Sequence, residues 1–255
     1  VALRQISENY KQGAGFALME SLALEQGFQG TLDCAGDGFT TSSGYRKIRD
    51  HAYYSARRRG EAWRGYGRIG LAKAFAESST VFFAQLGVRY GHAAFYAMTE
   101  RIQMNRQIAL HESPYGSYSL RTGELARIGD SDQYGLAQLS IGQGRLLVTP
   151  AYMALMAAAV ANQGVAMRPR LIAHAAPESL GSFMSAGTAG RLAAMMRRVV
   201  TEGTASDIAD ARLAIAGKTG TAENSQGDPH SWFVGFAPAA APQLAVAVLV
   251  EHGGY

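Results

Sequence analysis

Apolar residues recur at helical spacing through the middle of the chain and at alternate positions near its end. Phe16-Ala17-Leu18-Met19-Glu20-Ser21-Leu22-Ala23-Leu24-Glu25 reads as a mainly apolar helix, with Gly27 as its stop. A helical pattern resumes from Ile69 to Ala76, halts at Glu77-Ser78-Ser79-Thr80, and continues as two helices, Val81 to Tyr90 and His92 to Gln103. Thr149-Pro150 opens another helix, because Thr caps a first turn well and Pro is preset for it; Gly164 closes it. Gly187 to Thr201 is amphipathic and breaks at Gly203-Thr204-Ala205. Strand patterns come late: an entry at Ala214 that runs into Lys218, then Ser231 to Phe236, then Gln243 to Val250. Two polar, Gly- and Ser-rich stretches interrupt this order, 30–68 and 113–134. The first is long for a structureless loop and predicts short pieces of structure or a site-shaping segment; the second reads as a loop. Helices in the middle and strands at the end predict an α+β fold, helices packed on an antiparallel sheet.

Composition narrows the classes. The chain has 255 residues, 47% hydrophobic and 17% charged, which suits a full core and not a disordered segment. Net charge is +4, but the basic residues are scattered and the densest run is Arg57-Arg58-Arg59, a solvated turn; no nucleic-acid partner is expected. Cys34 is the single cysteine, so no internal disulfide forms. The six histidines show no ligand spacing, and neither a metal nor a cofactor is expected. No apolar run reaches the ~18 residues of a membrane span. Val1 starts without a methionine, and the reading places any membrane anchor or dimerisation region outside this chain.

The candidate chemistry lies in Ala214-Ile215-Ala216-Gly217-Lys218-Thr219-Gly220-Thr221-Ala222-Glu223. An edge strand offers free backbone groups to an extended peptide. Lys218 adds a cation for a carboxylate, and Thr219 and Thr221 fall on one face at period two. Gly220 lets a ligand approach the backbone. Lys218-Thr219-Gly220 resembles the Lys-Thr-Gly motif of penicillin-binding proteins and serine β-lactamases. The stretches 139–150, 157–169, 200–205 and 231–238 are similar, in order, to the transpeptidase domain of class B penicillin-binding proteins, and Ser78-Ser79-Thr80 to that family's Ser-x-Asn motif.

The resemblance implies a single transpeptidase-like domain over 1–255, an antiparallel sheet sandwiched by helices, with an all-helical subdomain roughly at 30–200. It implies a cleft lined by Ser78, Thr80, Lys218, Thr219, Gly220 and Thr221, taking the D-Ala-D-Ala-ended stem peptide of peptidoglycan or a β-lactam. It also implies a bacterial, extracytoplasmic setting and envelope protein partners. The family's nucleophilic Ser and, one helical turn on, its activating Lys belong to the first core helix, because residues three apart share a helix face. Those positions here are Ala14 and Ala17, and no Ser-x-x-Lys occurs in the chain. Ser7 and Lys11, four apart, lack the family's surroundings. The expectation is a transpeptidase fold without its covalent chemistry, a scaffold or regulator that holds a peptide non-covalently. The rival is an active D,D-transpeptidase or carboxypeptidase with Ser78 as a relocated nucleophile beside Lys218. Taken without the resemblance, Ser78 reads as the cap of the helix near Val81 and Lys218 as a strand lysine with its head in water.

Overall fold

The computed structural model describes residues 10–11, 15–42, 46–172, 174–223 and 227–254. Ala14 and Ser7 lie outside the described residues, as does the side chain of Ala17.

The core forms where apolar helices meet the late sheet. Helix α1 (Gly15–Glu25) buries Leu18, Met19, Leu22, Ala23 and Leu24. Helix α6 (Pro150–Ala161) is apolar on every side and buries Tyr152, Met153, Leu155, Met156, Ala157, Ala159 and Val160, as a helix with no solvent face must. Thr149 caps it, its hydroxyl accepting from Tyr152 N at 3.2 Å, and the buried Tyr152 hydroxyl donates to Ile102 O at 2.7 Å. Helix α7 (Ala186–Glu202) keeps Leu192, Met195, Met196, Val199 and Val200 on its inner face.

Among the described residues three strands form the late sheet: β12 (Ala216–Ala222), β13 (His230–Ala237) and β14 (Leu244–Val250), antiparallel in that order. Trp232, Val234 and Phe236 alternate inward on β13 and are almost fully buried. Opposite them on β12 stand Gly220, Lys218 and Ala216. Helix α7 packs against β12, and α6 against β13 and β14. The chain therefore has the expected α+β architecture, with β12 at an edge of its sheet.

Helix α3 (Leu71–Ala76) and helix α4 (Thr80–Arg101) are joined by a short turn. The two predicted helices after that turn form one element bent at Gly91, whose φ of 80° and ψ of 172° interrupt the helical backbone.

The stretch 30–200 carries ladders as well as helices. Ile69 and Gly70, read as the start of a helix, close strand β5 (Gly65–Gly70), which pairs with β2 (Thr31–Ala35). The glycines of β5 allow that pairing: a Cβ at Gly65 would lie 2.1 Å from Cys34 O. Between them come β3 (Phe39–Thr40), β4 (Lys47–Ile48) and helix α2 (His51–Arg58), the short pieces expected of this segment. The stretch 113–134, read as a loop, instead completes a hairpin of β6 (Gln107–Ser113) and β7 (Gly116–Arg121), continues as β8 (Gly123–Leu125) and enters α5 (Gln133–Ser140). Only Ile108 and Leu120 are buried in that hairpin, so its apolar alternation is faint. Strand β8 pairs with β9 (Leu146–Val148), which also pairs with β1 (Tyr10–Lys11). The two-stranded pair β10 (Val165–Met167) and β11 (Ser179–Ser182) completes the set. The segment is thus dominated by helices and edged by short antiparallel ladders, rather than all-helical.

Candidate active site

The site begins at the turn between α3 and α4. Ser78 has a φ of 56°, unusual for a residue with a side chain and the kind of backbone strain found at functional turns. The turn is held from two sides. Ser79 N donates to Ala74 O at 2.8 Å behind it. In front, the carboxylate of Asp50, 2% exposed, accepts from Ser79 Oγ at 2.9 Å and from Val81 N at 3.0 Å. Burial pushes the Asp50 carboxyl above its ordinary range, against the pull of these hydrogen bonds. The cap of α4 is Ser79, whose Oγ accepts from Phe82 N at 3.3 Å, so Ser78 is free of the capping role its sequence position suggested. The Thr80 hydroxyl lies 2.7 Å from Arg49 O and 3.2 Å from the same Asp50 oxygen. Its hydrogen bonds belong to the clasp on the turn and not to Lys218.

Strand β12 brings the second component. Lys218 faces inward opposite Val234 and is 3% exposed, so it is not a strand lysine with its head in water. Its Nζ donates to Ser78 Oγ at 2.7 Å and to Thr219 O at 3.0 Å, and stands 5.7 Å over the Phe75 ring. Burial lowers the ammonium to about 8, and the charge of Glu20 opposes that fall. A lysine in that range has an appreciable neutral fraction near neutral pH.

Thr219 and Thr221 point the other way from Lys218, as strand alternation requires. Thr221 is exposed and Thr219 half-buried. Thr219 Oγ1 meets Thr204 Oγ1 at 2.6 Å, and Thr204 N donates to Ala76 O at 3.3 Å. The break after α7 therefore joins the end of α3 to β12, two residues before Ser78. Gly220 faces Trp232, and a Cβ there would lie 3.3 Å from Trp232 Cβ; cross-strand packing asks for the small residue.

On α1, Glu20 is 1% exposed and its Oε2 has no hydrogen-bond partner. Burial raises its carboxyl well above the ordinary range, and the charge of Lys218 works against that rise. Ser78, Lys218 and Thr219 are thus brought together, Thr221 lies further along the same strand, and Thr80 is turned to the Asp50 clasp. Three contributors were missed. Thr204 sits inside a stretch already singled out for its resemblance, so the signal was present. Glu20 is visible as a carboxyl in the middle of an apolar helical run. Asp50 carries no local signal, because its partners lie about 30 residues away.

No group of three or more metal-ligating side chains occurs among the described residues, and none of their helices is long and apolar enough to cross a membrane. Two surface depressions of about 490 and 350 Å3 meet at Arg106 and Gln107, beside the β6–β7 hairpin. The Ser78–Lys218 pair is distinguished by its chemistry, a strained serine 2.7 Å from a buried lysine amine.

A strand lysine hydrogen-bonded to a strained serine invites comparison with known proteins. The family model for the penicillin-binding protein transpeptidase domain matches residues 37–255. The chain belongs to the class B penicillin-binding protein transpeptidase family. It is 33% identical over 205 residues to the peptidoglycan D,D-transpeptidase PbpA of Mycolicibacterium smegmatis, an alignment covering 73% of this chain and 39% of that protein. The fold is similar to penicillin-binding protein A of M. tuberculosis in an imipenem acyl-enzyme complex, with a TM-score of 0.81, 28% identity, and coverage of 99% of this chain and 57% of that one. The D,D-transpeptidase domain of an Eggerthella lenta peptidoglycan glycosyltransferase gives a TM-score of 0.78 at 28% identity, covering 96% of this chain and 61% of that one. The chain spans about two fifths of the length of the PbpA proteins it matches.

Proposed function

We propose that this penicillin-binding-protein-like domain works in bacterial peptidoglycan assembly outside the cytoplasmic membrane, and that it holds a stem-peptide carboxylate without forming an acyl-enzyme. The observation that carries the reading is a contrast between the Ser78–Lys218 contact and the sequence of the family's nucleophile segment. Lys218 Nζ stands 2.7 Å from Ser78 Oγ, while the positions that match the family's nucleophile and base are Ala14 and Ala17. Alanine has no oxygen to attack with and no amine to take the proton, so no covalent route starts from those two positions. The hydroxyls of Thr219 and Thr221, on one face of an edge strand, suit a carboxylate on an extended peptide, while Lys218 on the opposite face holds the Ser78 hydroxyl. Its role in this reading is that of a scaffold or regulator among envelope proteins.

The test is a fluorescent penicillin incubated with the purified protein, read by denaturing gel and intact mass. The expected result is no covalent adduct, together with saturable binding of a D-Ala-D-Ala-ended peptide by calorimetry. A stable adduct mapped to any residue overturns the reading.

One geometric fact favours a second reading. Because Lys218 is lowered to about 8 and touches Ser78, its neutral amine could take the Ser78 proton. Ser78 Oγ would then attack the peptide carbonyl, an ester would form, and the departing D-alanine amine would carry the proton away. An acyl mass shift abolished in Ser78→Ala supports this alternative over the first.

A further inference from the structure

The basic residues form no long run, yet the acids are sparse in one segment. Residues 46–64 hold seven Arg and Lys against two acids, a net charge of +5 in a chain whose total is +4. The fold takes both acids out of that balance. Asp50 is buried on the Ser78 turn, and Glu61 is held by Arg59 at 2.8 and 2.7 Å. The one lysine, Lys47, pairs with Asp37 at 2.6 Å. Arg46, Arg57 and Arg64 are exposed and form no ion pair among the described residues.

Exposed arginines alone make a solvated face, but some of these are built around rings. Arg49 lies 4.9 Å over the Tyr53 ring, and Arg57, one helical turn on, donates to the Tyr53 hydroxyl at 3.4 Å. Tyr54 stands edge-on to Tyr53 at 5.1 Å and is 41% exposed. Beyond the end of α2, the half-buried Trp63 stands edge-on to Tyr66 at 5.0 Å. Cations in the last turn of α2 suit the helix dipole, which accounts neither for Arg49 nor for the open rings.

Composition points to the kind of partner. Arg, Tyr and Trp are enriched at protein–protein contacts and Lys is depleted there, whereas anionic lipid is met by Lys as readily as by Arg. This segment has six arginines to one lysine. Arg49 and Arg57 already rest on Tyr53, so less side-chain freedom is lost when a carboxylate meets them. We propose that α2 and its flanks, centred on Arg49, Tyr53, Tyr54 and Arg57, form a docking surface for an acidic segment of a partner protein that also carries aromatic side chains. The guanidinium groups take its carboxylates, and Tyr54 packs against its rings. The surface adjoins the candidate site, because Arg49 O accepts from the Thr80 hydroxyl at 2.7 Å and Asp50 holds the Ser78 turn. It goes beyond the peptide-holding reading and stands whether or not β12 takes a carboxylate.

The experiment measures binding of a random glutamate–tyrosine copolymer by fluorescence anisotropy to the native protein, Arg57→Glu, Tyr54→Ser and Arg191→Glu. Arg191 is exposed on α7, so its variant makes the same charge change on a different element. The expected result is saturable binding that weakens about tenfold or more in Arg57→Glu and stays within about twofold of native in Arg191→Glu. Tyr54→Ser, which leaves the charge alone, should weaken it about three- to tenfold. Should Arg57→Glu lose its native circular dichroism, the milder Arg57→Gln decides in its place. Equal losses in the two charge variants reduce the attraction to net charge and overturn the proposal, as does a native protein that binds no copolymer. Tighter binding of inorganic polyphosphate or phosphatidylglycerol vesicles, with the same dependence on Arg57, assigns the surface to a phosphate polyanion and overturns the protein partner. Copolymer binding that survives Arg57→Glu but is lost in Thr219→Val places the copolymer on β12 and overturns the α2 surface alone.

Discussion

The two banks of the candidate site differ in how their polar groups are held. On one bank, the Ser78 turn and β12, the named polar groups have partners: Asp50 clasps the turn, Lys218 reaches Ser78, and Thr219 meets Thr204. On the other, α1 carries the buried Glu20, whose Oε2 has no hydrogen-bond partner, and the reading proposed above assigns the family's nucleophile and base positions to Ala14 and Ala17. The first bank is built from interactions that also hold the fold: a helix cap, a strand register, a tie between α3 and β12. Those persist whether or not chemistry follows. In the proposed reading, serine and lysine at the nucleophile and base positions would serve chemistry alone, so a family member could lose them and retain this geometry.

The sharpest way to break this comparison is to release the clasp. Asp50→Ala leaves the Val81 N–H and the Ser79 hydroxyl without their acceptor in a buried place, a cost of roughly 1–3 kcal/mol for each orphaned group. The expected loss is about 3 kcal/mol in urea denaturation at neutral pH, the largest effect among these changes. Asp50→Asn keeps an acceptor oxygen and should cost less. It also tests the pH dependence. Burial raises the folded carboxyl above its unfolded value of about 3.9, so its contribution is fully present below that value and falls away as pH rises. The Asn variant should lack this decline. A loss under about 0.5 kcal/mol for Asp50→Ala would mean that the turn is held by other contacts.

The fold and half the site were legible because their signals are local. Thr149-Pro150 and Gly164 bracket α6, Gly27 follows α1, and the β12 run carries its own chemistry in consecutive residues. The β6–β7 hairpin was not legible: its polar strands lie near the surface, and a Gly- and Ser-rich composition reads as loop. Asp50 was invisible for a different reason. Its role is made by a segment about 30 residues away, and a single Asp before a helix has many ordinary explanations. Lys218 was read as a cation lining the site, and its burial is what the sequence did not show. Alternation along β12 turns Lys218 inward with Ala216 and Gly220, away from Thr219 and Thr221, and only the register with Val234 reveals the burial.

A smaller effect comes from comparing two carboxyls on α1 itself. Glu25, unlike Glu20, is well partnered: Oε1 accepts from Ser185 N at 2.7 Å at the start of α7, and Oε2 pairs with Arg101 at 3.2 Å. Burial pushes this carboxyl up, but the Ser185, Thr188 and Arg101 hydrogen bonds outweigh it and bring it down to about 2. A depressed carboxyl contributes stability above its unfolded value, and that contribution is lost as pH falls through the folded one. Glu25→Gln should therefore cost about 1–2 kcal/mol at neutral pH. The gap between the two proteins should close as pH drops from 4.5 toward 2. A gap that is constant over that range would assign the effect to packing and not to charge.

The smallest expected effect tests whether the tie across the first bank matters to the ligand. Thr204→Val preserves shape and removes one hydroxyl from the Thr204–Thr219 contact. One neutral hydrogen bond is worth about 0.5–1.5 kcal/mol, and this site is open to water, so the stability change should fall at the low end. Thr219 then turns freely. If its hydroxyl faces the ligand carboxylate, a D-Ala-D-Ala-ended peptide should bind roughly two- to fivefold more weakly, since an ordering cost that the tie had removed returns at binding. Thr219→Val should weaken binding by at least as much, and the double variant should add little more, because both changes act through the same hydroxyl. Additive losses would separate the two threonines. The Thr204 contact would then hold the end of α3 against β12, and carboxylate recognition would fall to Thr221.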